Sequence, residues 1–375
     1  MKSNPVLFFK DLLNSYTDKK ILVVTGKYFL KNNPIGQEYL NVLIDHPTLS
    51  YYTNVKPNPK WDDIKSCYAL LDNKQYDVII SIGGGSTIDW AKIIFFLQSL
   101  NKEITEIDPF EISKQIPSSG DSQLLAIPTT FGTGSEVTQF ATFYVDQKKV
   151  SLDSPYIIPS ETIIDSRFLK QAPTHLIART AMDAASHAIE SLWSVHSTQQ
   201  SIGFAKEGLE LIWNNLEKAI TEDAEAQERL AIGAHLAGQA IQITRTTACH
   251  SISYPLTSFF GVDHGQATII TIPELLRFNS SVSAADCLDE RGVDFVNTSL
   301  RTIVTTIGCN NINEAAMAIS NFTRRINLKT RLSELGLKRE DLDLVAKHAF
   351  TPSRMKNNPR QVLAENVDQF LKSIF

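Results

Sequence analysis

Three short β-branched runs, each followed by glycine, constrain this chain more than any other feature. They are ILVVTG at 21–26, DVIISIGGG at 77–85 and LLAIPTTFG at 124–132. Short apolar runs bounded by turn residues read as buried strands. Helical patterns lie around them, at about 35–44, 60–73 and 86–99. Strands alternating with helices predict an α/β domain built on a parallel sheet. Past residue 165 the pattern is mostly helical, at 175–193, 199–220, 223–243 and 265–278, with further helices to the end. The expectation is an α/β domain over 1–165 and an all-α domain over 166–375. No low-complexity linker separates them, so direct packing with an interdomain cleft is expected, a common place for ligands.

Composition excludes several classes. The chain has 375 residues, 43% hydrophobic and 21% charged, the balance of a soluble globular protein of about two domains. A net charge of -5 argues against nucleic acid as a partner. No apolar run reaches membrane-spanning length, so no membrane partner is expected. Cys67, Cys249, Cys287 and Cys309 have no CxxC or finger-like spacing. Their scatter points to structural thiols in a reducing, cytoplasmic setting.

SIGGGSTIDWAK at 81–92 joins a predicted strand to a predicted helix. Its glycines remove side chains where a backbone turns tightly or approaches a ligand. Ser86 and Asp89 have the S-x-x-D spacing of a capping box. A helix N-terminus at the carboxyl end of a strand is a place for phosphate. The spacing is neither GxGxxG nor GxxxxGK[ST]. A second small-residue loop, AIPTTFGTGSEVT at 126–138, offers Thr129, Thr130 and Thr133. Two such loops after successive strands are best served by one extended ligand, a dinucleotide.

In AMDAASHAIESLW at 181–193, Asp183 and His187 are four residues apart and share one helix face. His250 and His264 lie in an unusual stretch, TRTTACHSISYPLTSFFGVDHGQA at 244–267. Asp183, His187, His250 and His264 would supply one oxygen and three nitrogens, a set suited to Fe²⁺, Zn²⁺ or a neighbouring divalent metal.

The ordered motifs GGGSTIDWAK, PTTFGTGSEVT, DAASHAIE, His250 and DHG at 263–265 resemble the iron-containing (group III) alcohol dehydrogenase family over residues 21 to about 278. The resemblance implies a dinucleotide-binding α/β domain and a helical metal-binding domain, NADH or NADPH as cofactor, and a homodimer. It implies metal ligation by Asp183, His187, His250 and His264. Gly84, Gly85 and Ser86, with Asp89 following, fall on the pyrophosphate loop. Thr129, Thr130 and Thr133 fall on the hydroxyl-lined cofactor loop, and Lys149 on a cofactor-contacting lysine. The metal would polarise a carbonyl and the nicotinamide would deliver hydride.

Two departures from the family pattern stand out. Gly26, followed by Lys27, occupies the place where many members carry an acidic residue for the adenosine ribose. Losing that carboxylate removes repulsion of a 2′-phosphate, so NADPH is expected to be accepted. Tyr254 stands where many members have another histidine that relays a proton. A phenol can donate, although it titrates near 10 when unperturbed.

For substrate, Arg245 and Thr246 precede His250, and Arg354 and Arg360 lie near the C-terminus. Such groups suit a small anionic aldehyde. ATFYVDQKKVSLDSP, SHAIESLWSVHST and TRTTACHSISYPLTS are most similar to the family branch that reduces phosphonoacetaldehyde to 2-hydroxyethylphosphonate in phosphonate biosynthesis. Competing readings are an alcohol or lactaldehyde-type dehydrogenase for uncharged substrates, a dehydroquinate synthase-like lyase, and a non-catalytic nucleotide-binding protein.

Overall fold

The structure is a computed structural model that describes residues 4–71, 75–100, 102–118, 120–146 and 148–375. The chain divides into two compact units, Met1–Thr130 with Ser135–Gln171, and Phe131–Gly134 with Ala172–Phe375.

The first unit is built on a parallel five-stranded sheet of order β2-β1-β3-β4-β7. The strands are β1 (Ile21–Thr25), β2 (Leu49–Tyr52), β3 (Val78–Gly83), β4 (Gln123–Pro128) and β7 (Glu161–Thr162). A separate antiparallel hairpin joins β5 (Phe140–Val145) to β6 (Lys148–Asp153). The helices are α1 (Pro5–Asn14), α2 (Phe29–Asn32), α3 (Pro34–Leu43), α4 (Trp61–Leu70) and α5 (Gly85–Gln98). Every side chain of β1 and β3 is buried, which is why their apolar runs are continuous rather than alternating. Helix α5 is also buried on all sides from Thr87 to Gln98.

Strand order fixes the ligand end of the sheet. From β1 the chain crosses to β2 on one flank and to β3 on the other, so the direction reverses between β1 and β3. Open α/β sheets bind ligands at the carboxyl ends of strands flanking such a reversal. Thr25 pairs in register with Ile82, so Gly26 and the Gly83–Ser86 turn emerge side by side there.

The second unit is helical. It contains α6 (Thr174–Trp193), α7 (Gln199–Ile220), α8 (Ala224–Thr244), α9 (Ala248–Phe260), α10 (His264–Ile269) and α11 (Ile272–Ser280). It continues with α12 (Val293–Thr306), α13 (Ile312–Arg325), α14 (Leu342–His348), α15 (Pro352–Met355) and α16 (Ala364–Ser373). Asp223 caps α8 by accepting from Ala226 N–H. Gly261, left-handed at φ 67°, closes α9. No helix among the described residues is long and apolar enough to cross a membrane. All four cysteines are free thiols.

Two expectations need correction. The helix expected over 265–278 is two helices. Pro273 has no N–H to continue the ladder, so α10 stops and α11 starts afresh. Phe168 stacks on Tyr39 within the sheet unit, which runs to Gln171. The capping box of Ser86 and Asp89 does not form. Gly84 is the N-cap of α5, with no side-chain cap bond, and the Asp89 carboxylate turns inward to other partners.

Candidate metal centre and nucleotide loops

Helix α6 supplies the first two site residues. Asp183 and His187 are buried on one face, one turn apart, and alanines at 184, 185 and 188 keep their surroundings small. His250 enters from the first turn of α9. Its ring stacks on His187 with centroids 4.6 Å apart. One ligand atom from each of Asp183, His187 and His250 lies within 4.8 Å of the others. His264 is the first residue of α10, and its ring stands edge-on to His250 at 5.3 Å. The structure thus brings all four expected residues together, three in a tight group and the fourth at its rim.

Gly265 makes this approach possible. A Cβ there would stand 1.9 Å from the Arg179 carbonyl oxygen and 3.0 Å from Asp183 Cβ. Only glycine lets α10 settle this close to α6.

The polar groups of the centre are oriented from behind. His187 Nδ1 lies 3.1 Å from the Gly132 carbonyl oxygen, which accepts its proton in that tautomer. His250 Nδ1 donates to Glu190 Oε2. His250 Nε2 lies 3.7 Å from Asp183 Oδ1 and has no hydrogen-bond partner among the described residues, although it is buried. Thr268 Oγ1 donates to Asp183 at 3.4 Å.

Charge points the same way. Burial would raise the Asp183 carboxyl, but the His187, His264 and His250 rings outweigh it and hold it well below the usual carboxylate range. Burial would also raise Glu190, which its His250 and Thr247 contacts keep below its usual value. Burial pulls His187 down. It would pull His250 down too, but Glu190 and Asp183 push it up. Neither buried carboxylate is paired with lysine or arginine among the described residues. Among the described residues only histidine rings offset the charge of these two buried carboxylates, and buried charge is costly unless well compensated. A divalent metal fits this donor set.

Glu190 is absent from the sequence expectations. Its signal was present: it follows Asp183 by seven residues and His187 by three, on the same helical face.

In the sheet unit, Gly84 lies so close to Thr130 that a Cβ would meet its Oγ1 at 2.9 Å. The first N–H groups of α5, from Gly85 and Ser86, have no intrahelical acceptor and suit a phosphate. Ser86 Oγ accepts from Asn58 N–H. Thr129 N–H donates to the Gly83 carbonyl and ties the second loop to the first. Asp89 accepts from Ser135 Oγ at 3.0 Å and from Thr142 N–H at 3.1 Å. It therefore braces the second loop from beneath rather than pointing out at the α5 N-terminus. Burial raises the Asp89 carboxyl, with Lys92 and, more weakly, Lys149 on β6 pulling the other way. Thr133 falls among residues 131–134 of the helical unit, next to the Gly132 carbonyl that faces His187.

The expected substrate residues divide. Arg245 ends α8 at φ 62° and ψ 171°, a region that side chains other than glycine rarely occupy. The Thr246 carbonyl accepts from Asn357 Nδ2 at 3.0 Å. Arg354 lies on α15 and is half-buried, and its carbonyl accepts from Asn357 N–H. Ser251 Oγ donates to the Ala349 carbonyl and accepts from Thr351 N–H. The segments bearing Arg245, Thr246 and Arg354 are therefore clipped to each other and to the helix of His250. Arg360 is not part of this group. Its guanidinium pairs with Asp286, donates to the Phe278 carbonyl and covers the Phe278 ring. Tyr254 follows His250 by one turn, and its ring stacks on His264 at 6.2 Å.

Residues 4–166 match iron-containing alcohol dehydrogenase, and residues 177–375 match the C-terminal part of the Fe-containing alcohol dehydrogenase family. The chain belongs to the iron-containing alcohol dehydrogenase family. It is an oxidoreductase of a group that works on alcohols and aldehydes with NAD(P)H and a divalent metal. The phosphonoacetaldehyde reductase of Streptomyces viridochromogenes is 32% identical over 83% of this chain and 79% of its own length. The lactaldehyde reductase of Escherichia coli is 27% identical over 93% of this chain and 90% of its own. The crystal structure of sulfoacetaldehyde reductase from Bifidobacterium kashiwanohense in complex with NAD+ superposes with a TM-score of 0.85 at 25% identity, covering 99% of this chain and 95% of that one. Membership in this family removes the lyase and the non-catalytic readings.

Proposed function

We propose that this member of the iron-containing alcohol dehydrogenase family reduces a small anionic aldehyde, phosphonoacetaldehyde, to 2-hydroxyethylphosphonate, with NADPH as the preferred reductant. Asp183, His187, His250 and His264 hold the metal. When bound, the metal supplies Lewis acidity toward a carbonyl and the nicotinamide supplies hydride.

The remaining roles belong to the chain's own side chains. The α5 N-terminus, with Gly84, Gly85 and Ser86, takes the pyrophosphate. Thr129, Thr130, Thr133 and Lys149 complete the nucleotide's surroundings. Gly26 leaves room at the ribose and Lys27, exposed beside it, attracts a 2′-phosphate. Tyr254, stacked on His264, gives the proton to the new alcohol.

The strained backbone of Arg245 carries the substrate assignment. A conformation of this kind costs about 1–3 kcal/mol and persists where surrounding structure enforces it, typically at ligand clamps. Here it sits five residues before His250, on a turn pinned through Asn357 to the helix of Arg354. Two guanidinium-bearing segments fastened beside the metal helix suit a dianionic head group. Of the aldehydes named among the relatives, the phosphono one carries a group that can be dianionic and the sulfo one a monoanionic group.

A panel of phosphonoacetaldehyde, lactaldehyde and acetaldehyde, each with NADPH and NADH, tests the proposal. The expected result is a kcat/KM at least a hundredfold higher for phosphonoacetaldehyde, falling at least tenfold in Arg245→Ala while lactaldehyde turnover holds. Equal use of charged and uncharged aldehydes, unmoved by the substitution, would refute it.

A further inference from the structure

Glu190 is fully buried on α6, and its two carboxylate oxygens do different things. Oε1 accepts the backbone N–H groups of Thr247 at 3.0 Å, Cys249 at 3.1 Å and His250 at 3.4 Å, and the Thr247 hydroxyl at 2.6 Å. These donors form the first turn of α9, so Oε1 caps the helix that bears His250. Oε2 faces His250 Nδ1. Trp193 Nε1 donates to Thr247 Oγ1 at 3.0 Å and closes the group.

We propose that Glu190 is a positioning residue that sets the tautomer of His250. An ionised carboxylate only accepts hydrogen bonds, so the ring proton must reside on Nδ1. Nε2 then presents a lone pair toward Asp183 and His187, where it has no hydrogen-bond partner among the described residues. Oε1 fixes the height of the ring along α9, and Oε2 fixes its rotation and protonation. One carboxylate on the helix of Asp183 and His187 thereby sets up a third donor from a different helix. The Gly132 carbonyl performs the tautomer half of this task for His187. The inference rests on the proposal that His250 Nε2 ligates the metal.

Glu190→Gln separates the two jobs. Its amide oxygen can still cap α9, but the –NH2 group must then donate to Nδ1, which moves the ring proton onto Nε2 and blocks ligation. Purified protein, stripped and titrated with Co²⁺ or Zn²⁺ against a chromogenic chelator, gives the Kd, and Co²⁺ adds its visible ligand-field bands. We expect Glu190→Gln to bind about 10–100-fold more weakly, the range for groups that orient metal-bound histidines, with altered Co²⁺ bands. Thr247→Val removes one donor to Oε1 but leaves Oε2 on the ring. It should lower the Tm and leave the Kd within twofold. If Glu190→Gln does not fold, Glu190→Asp decides, since its shorter arm cannot span both cap and ring and should lose at least tenfold in affinity. Wild-type affinity and bands in the Gln variant overturn the proposal, as does wild-type affinity in the Asp variant when Gln does not fold. His250→Ala identifies the other failure: binding as tight as wild type there removes His250 as a ligand.

Discussion

Replacing Gly265 with alanine adds one methyl group against a backbone carbonyl. Ordinary contact begins near 3.4 Å, and the methyl would start 1.9 Å from the Arg179 oxygen. Relief requires α10 and α6 to separate by about 1.5 Å. The obstacle is main chain inside a helix, so no side-chain rotation absorbs it. Overpacking of this kind costs about 1–3 kcal/mol, and the rigid obstacle places this case at the upper end. For a helical unit of roughly 200 residues, each kcal/mol moves Tm by about 2–4 °C, which predicts a fall of about 6–12 °C. The metal effect should be larger in proportion. Ligand distances are held to about ±0.2 Å, and His264, the neighbour of Gly265, would be displaced several times that far from Asp183. Thermal unfolding of the stripped protein reads the steric cost alone. Chelator competition on the same samples reads the ligand geometry, with at least a tenfold loss of affinity expected. A variant that melts within 2 °C of wild type and keeps its metal affinity would show that α10 is not seated against α6 as described.

Lys92 gives a pH signature. It is fully buried, donates to the Thr138 and Phe140 carbonyls, and burial lowers its pKa to about 8 against the pull of Asp89 and Glu136. Between about 8 and the ordinary lysine value the unfolded chain holds more protons than the folded one, so stability should rise with pH across that window. Denaturant titrations from pH 7.5 to 10.5 should show this slope in wild type and not in Lys92→Met, and parallel slopes would refute it. Tyr254→Phe tests proton donation: kcat should fall about 10²–10⁴-fold with little change in KM for aldehyde. An unchanged kcat would leave the ring as a wall beside His264.

What could be read from the sequence tracks burial. Strands β1, β3 and β4 were visible because full burial demands unbroken aliphatic runs. The edge strand β2, LSYY, is half-exposed and carries no such run. The β5 strand carries a weaker signal, since FATFYV alternates half-buried and buried residues only from Phe140 to Tyr144. Asp183 and His187 were legible because their spacing is local to one helix. The role of Glu190 is not local, since it depends on α9, sixty residues further along. Ser86 and Asp89 misled for the converse reason. Their spacing was that of a cap, but the Asp89 carboxylate found better donors in Ser135 and Thr142, which local pattern cannot reveal. Arg360 likewise has its partners in Asp286 and Phe278, both distant in sequence.

Helix α6 holds Asp183, His187 and Glu190 within two turns. Each residue inserted into or removed from that span rotates everything beyond it by about 100°. A single-codon deletion between Asp183 and His187 would part the two ligands and swing Glu190 away from both the ring and the α9 cap. Surface loops elsewhere in the chain can change length at a cost of fractions of a kcal/mol. In α6 the number of residues between the three anchors is as fixed as the anchors themselves.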